Sequence, residues 1–244
     1  MSKLIAVWGS PNSGKTSFTV KLASAVYERY NSTVLALCCD DTTPALPCLF
    51  PGFKSDELYS VGAPLSQTEI TQQAVIDSIV TRKGKVNLGY LGYKDGENRY
   101  TYPAYDEGKA KELLEVLKSL ADYVLVDCTS SLDNILTASA VKEADEVIRL
   151  ATPTLKSIAF FASQLPLYAD PAYQCERHIL GLNCTEADCY MPIEEAKSHF
   201  KEISFTLPYC REIRQQGIDG KLAEPVHDKK YAAKFKAIAD RIVL

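Results

Sequence analysis

The chain alternates short apolar runs with segments whose apolar residues recur every three or four positions. Seven apolar runs have the length of buried strands: residues 4–9, 33–39, 86–93, 123–128, 146–152, 178–184 and 202–208. Seven helical patterns follow or separate them: residues 15–30, 68–79, 107–120, 135–143, 155–168, 193–200 and 229–242. This alternation predicts an α/β fold in three layers, with helices on both faces of a mostly parallel sheet of about seven strands.

The composition allows a large buried core. Of 244 residues, 46% are hydrophobic and 24% are charged, and we expect one domain spanning residues 1–244. The formal net charge of −4 gives no strong signal for a nucleic-acid or membrane partner. Because no apolar run has the length of a membrane span or of a signal segment, we expect the protein in the cytoplasm.

Eight cysteines in a chain of this kind indicate buried thiols rather than a disulfide framework. The group that most resembles a set of metal ligands is Cys175, His178, Cys184 and Cys189. It contains no closely spaced pair of cysteines, so we favour core and loop cysteines over a metal site.

A phosphate-binding motif follows the first predicted strand. Residues 9–16 read GSPNSGKT, which matches the pattern GxxxxGK[ST] in the strand-loop-helix context that the pattern requires. The glycines permit a tight loop with inward N–H groups, Lys15 reaches the outer phosphates, and the Thr16 hydroxyl ligates Mg²⁺. The motif therefore predicts a nucleotide with its magnesium ion.

Two later strands end in carboxylates that suit this magnesium ion. Asp127 follows four apolar residues in YVLVDC, and Asp40 and Asp41 follow TVLALCC. In open α/β sheets, ligands bind beyond the carboxyl ends of the strands. A strand-end carboxylate can also do no more than cap the next segment. Beside the loop, we favour a role for Asp127 and Asp40 with the metal or the attacking water.

The loop and the two acids, in this order, resemble the MinD/ParA family of P-loop ATPases, which includes the CpaE and TadZ proteins of pilus assembly. Residues 39–50 (CDDTTPALPCLF) are similar to the segment after the family's second strand. Residues 123–158 resemble its switch II region and the elements that follow it. Residues 181–184 (GLNC) and 207–225 resemble the two late segments that meet the nucleotide base.

The resemblance implies a role for each matching residue. ATP or ADP and Mg²⁺ are the implied cofactors, and Asn183, Pro208 and Tyr209 would hold the base. Asp40 would orient the attacking water, and Asp127 would sense the γ-phosphate or bind the metal through water. Catalysis is thereby assigned to Lys15, Asp40 and Asp127, and the metal to Thr16, Asp40 and Asp127. The implied phosphate contacts are Gly9, Ser10, Pro11, Asn12, Ser13, Gly14, Lys15, Thr16 and Ser17.

The sequence departs from the family at three positions. Typical members carry a second lysine directly after the loop's first glycine, which reaches the partner subunit's nucleotide, and here that residue is Ser10. Pro11 removes one backbone donor from the loop, and Cys38 replaces a common acid. Because a hydroxyl brings no positive charge, we expect slow hydrolysis. Arg149, or an arginine between residues 211 and 214, is a candidate substitute from a partner subunit.

The resulting hypothesis is a slowly hydrolysing, ATP-binding switch protein in positioning, partition or pilus, secretion or conjugation assembly. It would form a nucleotide-dependent homodimer and act on a protein partner that the sequence does not identify. Adenine is expected rather than guanine, because Cys184 follows Asn183 where a guanine motif requires lysine. One alternative is a non-hydrolysing scaffold with structural nucleotide. Another is an ATP-dependent metabolic enzyme that resembles dethiobiotin synthetase.

Overall fold

The structure is a computed structural model that describes residues 2–53, 58–187, 191–200 and 202–243. Its strands are β1 (Lys3–Gly9), β2 (Val34–Cys38), β3 (Val80–Arg82), β4 (Lys85–Leu91), β5 (Tyr123–Asp127), β6 (Glu146–Ala151), β7 (Ile179–Asn183) and β8 (Ile203–Leu207). Its α-helices are α1 (Lys15–Tyr30), α2 (Leu46–Leu49), α3 (Gly62–Leu65), α4 (Gln72–Asp77), α5 (Glu107–Leu120), α6 (Ile135–Glu143), α7 (Leu155–Gln164), α8 (Ile193–His199), α9 (Arg211–Ile218) and α10 (Lys229–Val243).

The described strands form one sheet in the order β3-β4-β2-β5-β1-β6-β7-β8. All neighbours are parallel except β3 and β4, which are antiparallel. Strand β5 lies between β1 and β2, and Asp127 is paired in register with Val7 on one side and Cys38 on the other. The ends of these three strands therefore bring Gly9, Asp40 and Asp127 to the same edge of the sheet.

Each face of the sheet has its own apolar core. Alternation along β1 directs Ile5 and Val7 to the core that α1, α9 and α10 cover. Leu4, Ala6 and Trp8 lie in the other core, under α4 to α8. The Trp8 ring is fully buried, with its centroid 4.2 Å from that of Tyr168. Burial on both faces explains why these strands are almost continuously apolar.

The prediction of a mostly parallel sheet is confirmed, with eight described strands rather than about seven. The strand that the pattern missed is β3, which has only three residues and lies at the edge. It returns into β4 through a turn in which Gly84 has φ +84°. A short edge strand with a charged end carries little periodicity, but the glycine between two lysines is a turn signal.

Helices α1, α5 and α6 span the same residues as their predictions. The prediction over residues 155–168 was too long, because α7 ends at Gln164 and a 3₁₀-helix follows at Leu165–Tyr168. Pro166 explains the change, since it has no N–H to continue the α-helix. The prediction over residues 68–79 was also too long, and α4 begins after its cap at Thr71. Helix α9 and the short α2 and α3 were not predicted.

Candidate functional site

The loop between β1 and α1 needs glycine at both of its ends. A Cβ atom at Gly9 would lie 2.1 Å from the Leu150 carbonyl oxygen, so only glycine allows β6 to approach this closely. Gly14 has φ +78°, in the left-handed region that glycine adopts without strain. Asn12 is also left-handed, with φ +59°. The two glycines of the motif are therefore explained by backbone geometry alone.

Helix α1 begins at the loop with free donors. Its N-cap, Gly14, offers no side-chain acceptor, and the first backbone bond runs from Phe18 N–H to the Gly14 carbonyl at 2.8 Å. The N–H groups of Lys15, Thr16 and Ser17 therefore have no acceptor within the helix. All three residues line one cavity. Unbonded N–H groups at the positive end of a helix dipole form a binding site for phosphate.

Lys15 lies under this loop. Its Nζ donates to the Ser10 carbonyl oxygen at 3.1 Å and to Ser130 Oγ at 2.7 Å. Burial lowers the pKa of Lys15, while the nearby Asp127, Cys128 and Asp40 act to raise it. An ammonium group held this way is ready to exchange neutral acceptors for the oxygens of an anion.

Asp127 is 3% exposed and meets the loop at Thr16. Burial raises its pKa to about 6, against a hydrogen bond from the Thr16 side chain and the charge of Lys15, which lower it. Its Oδ1 has no hydrogen-bond partner among the described residues. A buried carboxylate oxygen without a partner beside a threonine hydroxyl fits Mg²⁺, which is bound through few protein oxygens with water and phosphate.

Asp40 is half-exposed and follows β2. Its Oδ1 accepts from the N–H groups of Thr42 and Thr43, both at 2.8 Å, so it does cap the next turn. Asp40 and Asp127 line the same cavity of about 710 Å³, which we call the phosphate cavity. The residues of that cavity also include Pro11, Asn12, Gly14, Lys15, Thr16, Ser17, Asp41, Arg99, Ser130 and Asp133.

A second cavity, of about 590 Å³, lies on the other side of the loop, and we call it the base cavity. It shares Asn12, Gly14 and Ser17 with the phosphate cavity. Its remaining residues are mostly apolar: Phe18, Asn183, Cys184, Thr185, Glu186, Leu207, Tyr209, Cys210, Ile213, Arg214, Gly217, Ile218, Leu222, Tyr231 and Phe235. The loop thus joins a charged cavity to an apolar one, as a nucleotide requires.

The structure places two of the three residues predicted for the base in this cavity. Asn183 is buried, and its Nδ2 donates to the Ser13 carbonyl oxygen at 2.8 Å, so its amide also holds the loop. Tyr209 lines the cavity, but Pro208 is exposed and is not among its lining residues. Successive side chains point to opposite sides as β8 ends, so Leu207 is buried and Pro208 faces outward.

Ser10 is 1% exposed and does not face either cavity. Its Oγ lies 2.9 Å from Ser157 Oγ, and its N–H donates to the Leu150 carbonyl oxygen at 3.1 Å. Ser157 in turn accepts from the Thr152 N–H at 3.1 Å. The side chain at position 10 therefore belongs to the packing of α7 against the loop. Ser157 has no motif around it and was missed from the sequence.

Lys21 was missed as well. It is buried on α1 and donates to Gln216 Oε1 and to the carbonyl oxygens of Leu222 and Glu224, the last two at 2.6 Å. Burial lowers its pKa to about 8. Its contacts fix the chain after α9, which includes Leu222 of the base cavity. A lysine inside an apolar helical stripe is the signal that sequence reasoning passed over.

The cysteine and histidine group does not form a metal site within the residues that the structure describes. His178 is buried and its Nε2 lies 2.7 Å from the Tyr173 carbonyl oxygen, and burial lowers its pKa to about 4. Arg149 is half-buried, with 3.7 Å between its Nη1 and Cys175 Sγ. Cys189 lies outside the described residues.

The architecture and the loop define the fold class as a P-loop NTPase fold. Searches of protein-family models and of curated proteins find no match. Among solved structures, the chain is similar to a ParA family ATPase from Chlorobium tepidum TLS, with a TM-score of 0.76 and 17% identity over 100% of this chain and 98% of that one. In the described part, no helix is long and apolar enough to cross a membrane.

The septum site-determining protein MinD complexed with Mg-ADP, from Pyrococcus horikoshii OT3, matches with a TM-score of 0.70 and 21% identity, over 99% of this chain and 96% of that one. A MinC:MinD cell division complex from Aquifex aeolicus gives a TM-score of 0.73 and 18% identity, over 98% and 95%. At these identities the likeness establishes the fold alone, and the fold is that of the ParA and MinD ATPases.

Proposed function

We propose that this chain is an ATP-binding switch protein of the ParA/MinD type that hydrolyses ATP slowly. The observation that carries the proposal is the buried Asp127, whose Oδ1 lacks a partner beside Thr16 and Lys15. Thr16 and Asp127 would hold Mg²⁺, which supplies Lewis-acid charge to the phosphates. The fold of MinD complexed with Mg-ADP supports this choice of ligand.

The chain's own residues would position the reaction. Lys15 and the N–H groups of the loop neutralise and orient the phosphates, and Asp40 orients a water at the γ-phosphate. The water oxygen bonds to phosphorus as the bond to the bridging oxygen breaks. ADP leaves with that electron pair, and the water's proton passes to phosphate or solvent.

Slow hydrolysis follows from Ser10. Its hydroxyl lies 2.9 Å from Ser157 Oγ inside the fold, so it does not extend toward a nucleotide on a second copy. The charge that a lysine would bring to a partner subunit is absent at this position. We propose that bound ATP favours a homodimer and docking of a protein partner in positioning, partition or appendage assembly, and that hydrolysis ends this state.

The inward position of Ser10, which brings no charge to a partner subunit, also favours a second candidate: a scaffold that binds nucleotide without hydrolysing it. Single-turnover release of phosphate from ATP and Mg²⁺ separates the two. We expect slow release that the Asp40→Asn variant lowers at least about tenfold. Asp95→Asn, an exposed loop acid, is the control. Equal rates in wild type and Asp40→Asn would favour the scaffold, and failure of the wild type to bind ATP would refute both candidates.

A further inference from the structure

A second cation lines the phosphate cavity. Arg99 lies in the loop between β4 and α5, at residues 92–106, and contributes to the same cavity as Lys15 and Asp127. Its segment has only the composition of a polar turn, so no pattern in the sequence singles out Arg99. Topology brings it to the site, because β4 pairs with β2 in parallel and both strands end at the nucleotide edge.

Among the described residues that line the cavity, acidic side chains outnumber basic ones, and Arg99 is one of the two basic residues. Four aspartates line it: Asp40, Asp41, Asp127 and Asp133. Lys15 and Arg99 are the basic residues among the described lining residues. Arg99 forms no ion pair within the described chain, and its guanidinium lies 5.1 Å from the centroid of the exposed Tyr100 ring. It is therefore available to an anion that enters the cavity.

The loop that carries Arg99 is held by internal contacts. Buried Glu97 accepts from the Lys94 N–H at 2.9 Å and from the Tyr102 hydroxyl at 2.7 Å. The Tyr102 ring packs against Gly62, where a Cβ atom would lie 2.1 Å from the ring. Beyond Arg99, the Tyr100 N–H donates to Asn98 Oδ1 at 2.9 Å. These contacts before and after residue 99 fix the position of the Arg99 backbone.

We propose that Arg99 contacts the terminal phosphate of a nucleotide bound in the phosphate cavity of its own chain. Arg99 thereby supplies, from the same chain, a positive charge of the kind that a lysine at position 10 would bring to the nucleotide of a partner subunit. The inference rests on the proposed function. A guanidinium presents several N–H donors in a plane and suits phosphate oxygens, and stacking on Tyr100 limits the freedom that it loses on binding.

The test compares nucleotides with and without the terminal phosphate. Dissociation constants are measured with Mg²⁺ for ADP and for a slowly hydrolysed ATP analogue. Arg99→Ala should weaken the analogue about tenfold or more and ADP less than about twofold, because a bond to a charged group is lost only with the analogue. Arg99→Lys should restore part of the affinity. Arg177→Ala removes an exposed arginine that lines neither cavity and should leave both constants unchanged.

The outcomes separate this inference from the proposed function. If the wild type binds both nucleotides and Arg99→Ala binds both equally well, the role of Arg99 is refuted and the switch proposal stands. A loss that is equal for ADP and the analogue would also refute it, because it would show general attraction to anions. If the wild type binds neither nucleotide, the proposed function itself fails.

Discussion

The two cavities on either side of the loop are built in opposite ways. The phosphate cavity is lined mainly by charged and hydroxyl side chains that follow the ends of β1, β2 and β5, with Arg99 from the loop after β4. The base cavity takes its aromatic and aliphatic side chains from α1, from the end of β8, and from α9, α10 and the segment between them. The phosphate cavity offers specific hydrogen bonds and charges to a ligand, whereas the base cavity offers burial of apolar surface.

This difference determines how each cavity responds to change. Loss of one charge in the phosphate cavity removes binding energy but leaves the core of the protein intact. Loss of one ring in the base cavity opens the core, because Phe18 and Phe235 belong to the apolar cluster under the sheet. Stability and affinity should therefore separate on the phosphate side and fall together on the base side.

The largest effect is expected from Phe235→Ala, on the base side. The ring is 3% exposed, with its centroid 5.4 Å from that of Phe18. Its removal should cost about 3 to 5 kcal/mol of unfolding free energy through lost transfer energy and a cavity. Denaturant unfolding and ATP binding measure the two effects. Leu167→Ala, at a residue that is 57% exposed, should cost under about 0.5 kcal/mol. Weaker ATP binding with unchanged stability would contradict the expectation that stability and affinity fall together on the base side.

Lys15→Ala should produce the opposite pattern on the phosphate side. Affinity for ATP, and for inorganic tripolyphosphate, should fall between roughly 30-fold and several thousand-fold, which corresponds to about 2 to 5 kcal/mol. Stability should not fall, because burial lowers the pKa of Lys15 and so disfavours its charge in the folded state. Calorimetric titration and thermal unfolding measure both. The exposed Lys156→Ala is the control, and undiminished affinity in Lys15→Ala would refute the site.

The comparison also explains how much the sequence predicts. The loop, Asp40 and Asp127 follow strands directly, so a local pattern is enough to find them and to place them at one edge. Ser157 and Lys21 act through partners 147 and 195 residues away, Ser10 and Gln216. Arg99 reaches the cavity only because β4 neighbours β2. Contacts of this kind depend on the tertiary structure, and no spacing in a single sequence encodes them.

The base side shows the same limit. The resemblance of residues 181–184 to a family segment pointed to Asn183, but not to its bond with the Ser13 carbonyl oxygen. Helix α9 was missed because a glycine near its end and five charged or amide side chains among its eight residues obscure an apolar face that consists mainly of Ile213. Its buried contributions come from Ile213 and Gln216, and the latter accepts the Lys21 ammonium.

The smallest effect concerns the pH dependence of Asp127, whose pKa burial raises to about 6. Between about pH 4 and 6, Asp127 in the folded protein without nucleotide keeps a proton that the unfolded chain, with an aspartate pKa near 3.9, has released. This contribution to stability is complete below about pH 4 and is lost as the pH rises through 6. Between pH 4.5 and 6.5, wild type should lose roughly 2 kcal/mol relative to Asp127→Asn. Denaturant unfolding at several pH values measures the difference, with Asp95→Asn, at an exposed residue outside the cavity lining, as the control.

Binding of magnesium and nucleotide should depend on pH in the opposite direction to the stability of the empty protein. The metal requires the ionised carboxylate, so affinity for MgATP should fall as the pH drops below about 6 in wild type and stay nearly flat in Asp127→Asn. The same proton thus stabilises the empty protein and opposes the loaded one. If both proteins showed the same pH dependence, in stability and in MgATP affinity, Asp127 would not be the carboxylate that faces the metal. The distinction between a charged and an apolar cavity would then have to rest on Lys15.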